Sequence, residues 1–234
     1  MTYISEKALY GVSVPLVGTY AGTMLKLDVV KHEALPRGAK IIAVNHPSTT
    51  DPFFVAAMLH QQCFIMIEDL LFQVPILGTY LRRSGHINVK SGHGQESVDS
   101  AVAHLKAGHT VVIFPEGKIS PFEGGFRRAH TGVARMAMAS GAPVIPVGIA
   151  LQRDQIHHIR STVRGNEEIG HWYLRGPYAM TFGRAIQFAG DPDDHQLVRS
   201  VADQTMRRII EMATESELRM NRTLGMAPGL FDLI

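Results

Sequence analysis

Short apolar runs and amphipathic stretches alternate along this chain. Residues 39–46, AKIIAVNH, form an apolar run that ends in turn-formers, the pattern of a buried strand. Similar runs predict strands at 63–67 (CFIMI), 86–90 (HINVK), 110–117 (TVVIFPEG, stopped by Pro115 and Gly117), 143–151 (PVIPVGIAL) and 178–188 (YAMTFGRAIQF). Between them the period becomes helical. Residues 51–61 open with Asp-Pro and continue at helical spacing. Residues 94–108 put Val98, Ala101, Val102 and Leu105 on one face and close on Gly108. Residues 130–141 and 192–222 predict two more helices, the second with Val198, Val201, Thr205, Ile209 and Met212 on one stripe. Residues 70–85 are apolar, broken by Pro75, and end in Arg82, Arg83 and Gly85. Strands alternating with helices predict an α/β fold: a single domain with a mainly parallel sheet flanked by helices. In such sheets function gathers in loops beyond the carboxyl ends of the strands, and His46 and Glu116 both fall just past strand ends.

The N-terminal part reads differently. Residues 8–25 contain no charge, and eighteen such residues approach the length of a membrane span. Pro15, three glycines and several hydroxyls break the run, so a clean transmembrane helix is not expected. It reads as a buried core element or as a helix or hairpin dipping into one leaflet, with Lys7 and Lys26 at the interface; the second reading is preferred. No basic region and cleavage site mark a signal peptide. The chain therefore divides into an apolar N-terminal segment (1–35), a candidate membrane-surface anchor; an α/β core (36–190); and a C-terminal helix and tail (191–234).

Composition narrows the partners. A 45% apolar share with 19% charged residues suits a sizeable core, so disorder is not expected outside the ends. A formal net charge of +2 gives no polyanion-binding signature, and no nucleic-acid partner is expected. The single cysteine, Cys63, excludes an intrachain disulfide and makes a reducing compartment the default.

The candidate chemistry begins with IIAVNHPSTTDPFF, residues 41–54. A neutral imidazole takes a proton from a hydroxyl when its other nitrogen is held by a carboxylate. Among the 12 histidines, only His46 has an aspartate five positions later, Asp51. The same residues also make an ordinary turn and helix start, so the pair alone leaves both readings open. In FPEGKISP (114–121), Glu116 reads as an exposed acid on a tight turn, and Gly117 permits close backbone approach. A P-loop reading of Gly117-Lys118 fails, because Ile119 stands where Ser or Thr is required and Val112 where the first glycine is required. Arg82, Arg83, Lys90, Lys118, Arg127 and Arg128 adjoin glycine-containing loops, as phosphate binding favours. His157 and His158 lack a companion ligand cluster, so no metal is expected.

The order of these blocks carries more than any one of them. NHPSTTD, RRSGHINVK, FPEGKIS followed by GGFRRAHTG, and PVIPVGI together resemble the glycerolipid acyltransferase family of 1-acyl-glycerol-3-phosphate acyltransferase type. The resemblance covers roughly residues 39–150. It implies His46 as general base on an acceptor hydroxyl and Asp51 as its orienter. It implies Glu116 and Gly117 as acceptor-binding residues, and the basic residues beside the glycine loops, Lys118, Lys90, Arg83, Arg127 and Arg128, remain the candidate phosphate ligands. The co-substrate would be a thioester of coenzyme A or acyl carrier protein, with no metal or redox cofactor. A thioester carbonyl is already activated, so deprotonating the alcohol suffices, and backbone near the His46 turn could stabilise the oxyanion. The implied setting is the cytoplasmic face of a membrane, peripheral or monotopic, with the lipid surface as partner. Two positions depart from the family pattern: Lys90 and Ile119 stand where arginines associated with the acceptor phosphate are usual. Lysine keeps the charge but loses the bidentate fork. Two rivals remain: a thioesterase-like hydrolase with His46 activating water, and a catalytically silent lipid-binding protein.

Overall fold

The computed structural model describes residues 6–59, 61–163 and 165–225. In chain order the elements are α1 (Glu6–Met24), β1 (Leu25–Lys31), β2 (Lys40–Val44), α2 (Asp51–Leu59), β3 (Cys63–Glu68), α3 (Asp69–Phe72), α4 (Leu77–Arg83) and β4 (Ile87–Val89). They continue with α5 (Gly94–Lys106), β5 (Thr110–Ile113), α6 (Gly132–Ser140), β6 (Val144–Leu151), a 3-10 turn (Arg153–Gln155), β7 (Ile156–Val163), β8 (Asn166–Tyr173), β9 (Gly176–Phe182) and α7 (His195–Leu224).

Seven strands form the main sheet in the order β1-β9-β6-β2-β5-β3-β4. Every neighbouring pair is parallel except β6 and β9. The α/β architecture with a mainly parallel sheet is therefore the observed one. β2 and β5 are buried at every position, which is why each reads as an unbroken apolar run. Alternate residues of these strands face two cores. Ile42, Val44, Val112 and Ile149 pack with α1 and α2 residues, whereas Ile41, Ala43, Val111 and Val144 pack with α5, α6 and α7.

α7 lies directly on β6. A Cβ on Gly148 would sit 1.9 Å from the backbone nitrogen of Ala213, so only glycine admits the helix at this depth. Val198, Val201, Thr205 and Ile209 of the expected stripe are buried. Met212 is the exception and lines a surface cavity instead. Burying such side chains contributes roughly 1.5–3 kcal/mol each, against a few tenths for an exposed pair such as Arg208–Glu211. The stripe, not the ion pairs, holds this helix. Its start is capped by Asp194, whose Oδ1 accepts from the N–H groups of Gln196 (3.0 Å) and Leu197 (3.1 Å).

Two strand groups lie outside the sequence expectation. β1 takes seven residues of the 1–35 segment into the sheet edge, beside β9, so that segment is joined to the core rather than separate from it. β7 and β8 form a two-stranded antiparallel hairpin of their own. The expected strand at 178–188 stops at Phe182; beyond it Ile186 makes only an isolated bridge to Val144.

His86 introduces a pH dependence into the fold. It precedes β4, and its Nδ1 accepts the N–H of Ile65 at 3.2 Å. Burial pushes it down to about 4. The folded state thus favours the neutral ring. Stability is full above the unfolded-state value near 6.5 and falls as pH drops from there towards 4. We predict a loss of about 2–3 kcal/mol between pH 7.5 and pH 4 from this residue. Urea unfolding at both pH values checks it: His86→Gln should flatten that difference, and an equal drop in the variant would contradict it.

Candidate active site

β2 delivers its last apolar residue, Val44, into a clamped turn. Asn45 is buried, donates Nδ2–H to Ile149 O (2.9 Å) and accepts Ile149 N–H on Oδ1 (2.7 Å), which locks the end of β2 to β6. His46 follows. Its ring stacks on Phe114 with centroids 4.3 Å apart, and its Nδ1 lies 3.0 Å from Asp51 Oδ2. The His46 side chain is 17% exposed and that of Asp51 0%. Asp51 is the first residue of α2, where the helix dipole favours a carboxylate. Its Oδ2 also accepts Ser48 N–H (2.7 Å); its Oδ1 accepts Ser48 Oγ–H (2.6 Å) and Tyr178 Oη–H (3.0 Å). An acceptor-only carboxylate so surrounded assigns the proton to His46 Nδ1 and leaves Nε2 as an acceptor.

Glu116 occupies the equivalent turn after β5. It is 2% exposed, contrary to the exposed acid the sequence suggested. Oε1 accepts His46 N–H (3.1 Å) and Ser120 Oγ–H (2.6 Å), and Oε2 accepts Arg127 N–H (2.7 Å). The reciprocal bond runs from Ser120 N–H to His46 O at 2.8 Å. Both carboxylate oxygens are therefore taken by protein donors. This geometry ties the two turns together. Gly117 has φ of 69°, and a Cβ there would strike the His130 ring at 2.7 Å.

The β7–β8 hairpin, which the sequence did not reveal, clamps the same turn. Thr49 N–H donates to His171 O (2.7 Å), His171 N–H to Thr49 Oγ1 (2.8 Å), and Thr50 Oγ1–H to Tyr173 O (3.0 Å). His171 packs against His158 at 4.7 Å, and Phe122 meets both rings. Burial, then the neighbouring His158, hold His171 below the ordinary histidine value. Arg153, also unforeseen, donates from Nη1 to Pro121 O at 2.7 Å and Phe122 O at 3.3 Å. Burial lowers it, while Glu217, Glu116, Asp51 and Glu123 pull the other way.

Among the described residues, no hydroxyl or thiol is hydrogen-bonded to the His46 ring. Ser48 Oγ and Ser120 Oγ are buried and donate to Asp51 and Glu116. Cys63 lies in the core with its thiol pushed up to about 12 by burial. The expected oxyanion donors are also scarce: the N–H groups of His46, Ser48 and Thr49 go to Glu116, Asp51 and His171.

The expected cations separate. Continuing the strand registers places His46, Glu116 and Lys90 at one level of the same rim. Lys90 is three strand spacings from His46, roughly 14 Å at backbone level. It is exposed, as is Lys118. Arg127 donates Nε–H to Ile119 O at 3.0 Å. Arg128 pairs with Asp203 of α7 at 3.5 Å, and Arg83 ends α4 at the amino end of β4, opposite Lys90. Arg83 is thus placed away from the imidazole, because the helix before a strand ends at the rim opposite that strand's carboxyl end.

The family profile described as Acyltransferase matches residues 26–150, over half of the chain, and the chain belongs to that family. It is 26% identical over 160 residues to the 1-acyl-sn-glycerol-3-phosphate acyltransferase of Saccharomyces cerevisiae, covering 63% of this chain and 48% of that protein. It is 31% identical over 127 residues to the N-acylphosphatidylethanolamine synthase of Arabidopsis thaliana, covering 49% and 44%. The matched stretch thus spans about half the length of these curated relatives. Among solved structures, the 1-acyl-sn-glycerophosphate acyltransferase PlsC of Thermotoga maritima superposes with a TM-score of 0.60 at 21% identity, covering 88% of this chain and 82% of that one. That likeness establishes the shared fold.

Proposed function

We propose that this chain is an O-acyltransferase that moves a fatty acyl group from a coenzyme A or acyl carrier protein thioester to a hydroxyl of a lyso-glycerolipid resembling 1-acyl-glycerol-3-phosphate. The observation that carries this reading is the His46 Nδ1–Asp51 Oδ2 contact at 3.0 Å, with Asp51 fully buried. His46 Nε2 takes the acceptor's hydroxyl proton as the oxygen attacks the thioester carbonyl. The tetrahedral intermediate collapses, the C–S bond breaks, and the imidazolium returns the proton to the departing thiolate. Glu116 acts by holding the His46 turn. Lys90 and Lys118 supply the positive charge for an acceptor phosphate set back from the reacting hydroxyl. Lysine reads that phosphate as a point charge, which tolerates a wider range of head groups than a guanidinium fork.

An acceptor screen with a labelled acyl thioester, read by mass spectrometry, tests the assignment. The panel includes lysophosphatidate, other lysophospholipids and, because of the Arabidopsis relative, phosphatidylethanolamine. Labelled diacyl product is expected. Label released as free acid without any acceptor would support the hydrolase reading, and tight lipid binding without turnover the silent one.

The substrates are membrane lipids, and α1 supplies a face to meet them. Val12 (73% exposed), Leu16 (70%), Tyr20 and Met24 recur every four residues along its outer side. Tyr80 on α4 donates to Ser13 Oγ at 2.8 Å, joining α4 to this face. One turn before Tyr80 stands Ile76, 87% exposed and, among the described residues, the only non-glycine with positive φ, at 65°. A β-branched residue in that conformation is costly, and such strain concentrates at functional positions. We assign the α1 stripe and Ile76 to one docking surface on the cytoplasmic face of a membrane. No helix among the described residues is long and apolar enough to cross the bilayer. Changing Val12, Leu16 and Ile76 together to serine should lower partition into anionic vesicles about tenfold or more, while turnover of short-chain soluble substrates stays within about twofold. Unchanged partition would contradict the assignment.

A further inference from the structure

We infer that Tyr178 is a positioning residue of the His46–Asp51 pair, fixing the plane of the Asp51 carboxylate and tempering its charge through the phenol hydroxyl. The inference rests on the proposed base role of His46. Four groups converge on Asp51: His46 Nδ1, Ser48 N, Ser48 Oγ and Tyr178 Oη. The first three belong to residues 46–48, so they move with the turn that also holds Asp51. Tyr178 alone comes from elsewhere, 127 positions along the chain.

Its own setting is rigid. Tyr178 is fully buried in β9, in register with Leu27 of β1 and Leu151 of β6. Its ring meets the Phe54 ring edge-on at 5.2 Å and lies 6.0 Å from Tyr173. Anchored in the sheet, the hydroxyl transmits the position of the sheet to Asp Oδ1. Burial first, then the charge of Asp51 and the bond to it, push Tyr178 well above the ordinary tyrosine value. It stays a protonated donor at any working pH. The other charged or titratable groups facing this turn are Glu116, Arg153 and the His158–His171 pair, none of which has a described hydrogen bond to Asp51.

A donor on Oδ1 draws negative charge away from Oδ2. Without it, Oδ2 attracts the Nδ1 proton more strongly, so the base is captured by a proton at higher pH, while the carboxylate plane is held only by its own loop. The variants Tyr178→Phe and Tyr173→Phe separate this from simple loss of a buried hydrogen bond. Tyr173 is equally buried and donates to Pro177 O at 2.6 Å, with no bond to Asp51.

The first readout is the NMR resonance of the His46 Nδ1 proton in the substrate-free protein. Tyr178→Phe should shift it downfield, and Tyr173→Phe should leave it in place. The second is kcat/KM against pH. Tyr178→Phe should move the acid limb upward by about half a pH unit and lower kcat about tenfold with KM within about twofold. An unmoved resonance in Tyr178→Phe, or an equal movement in Tyr173→Phe, overturns the inference. Because the resonance needs no turnover, absence of acyl transfer by the unaltered protein would count against the function and leave this readout decisive for Tyr178.

Discussion

His46→Ala should lower thioester-dependent acyl transfer about 10,000-fold, the upper end of what a positioned base contributes. The magnitude follows from what the neighbourhood lacks. Among the described residues only Asp51 is hydrogen-bonded to the His46 ring, where it holds Nδ1, and the hydroxyls of Ser48 and Ser120 are committed to carboxylates. Losing the ring also removes its stack on Phe114 and one of the donors to Asp51, which retains Ser48 and Tyr178. The fold should therefore survive with a cost of about 1–2 kcal/mol. Initial rates with circular dichroism on the same sample check both halves. Wild-type turnover in a folded variant would refute the base role.

Asp51→Asn is expected to be almost as damaging, about 1,000- to 10,000-fold, for a different reason. The volume is unchanged. An amide, however, can turn its NH2 towards Nδ1 and so place the ring proton on Nε2, where the acceptor's proton must go. The substitution also faces Ser48 N, Ser48 Oγ and Tyr178 Oη, all donors, with a group that itself donates on one side. At a position that is 0% exposed this mismatch should cost about 1–3 kcal/mol of stability. Rate and urea midpoint should thus both fall in Asp51→Asn, with a midpoint loss at least as large as that of His46→Ala. Equal rates for Asp51→Asn and the unaltered chain would remove Asp51 from the mechanism.

The dyad was legible because its two members lie five residues apart, on a turn that an apolar run points to. Both the run and the turn are local features. Tyr178 was not legible, since a buried tyrosine in a strand reads as core whatever its hydroxyl meets. Glu116 was misplaced for a related reason. The turn FPEG looks exposed until Ser120 and Arg127 fold back over it, and nothing in the turn itself announces those donors. β1 does alternate, Leu25, Leu27 and Val29 against Lys26 and Asp28, but the long uncharged segment beside it masks the pattern. The β7–β8 hairpin gave weaker signs. Ile159 and Ile169 are half exposed, so its strands carry no clean apolar face, although the backbone of β8 holds the His46 turn through Thr49 and Thr50. Register also sorted the cations, which the sequence presented as one set: Lys90 shares the rim of His46, while Arg83 does not.

The proposed mechanism requires an imidazole that acts on the acceptor and not on a group of the protein. Intact-mass spectrometry of the chain, mixed with a long-chain acyl thioester in the absence of acceptor and quenched within milliseconds to minutes, examines that point most directly. The expected spectrum is unmodified protein at every time, with product forming only once a lyso-lipid is added. A transient acyl adduct on any side chain, appearing and decaying at the rate of turnover, would contradict it.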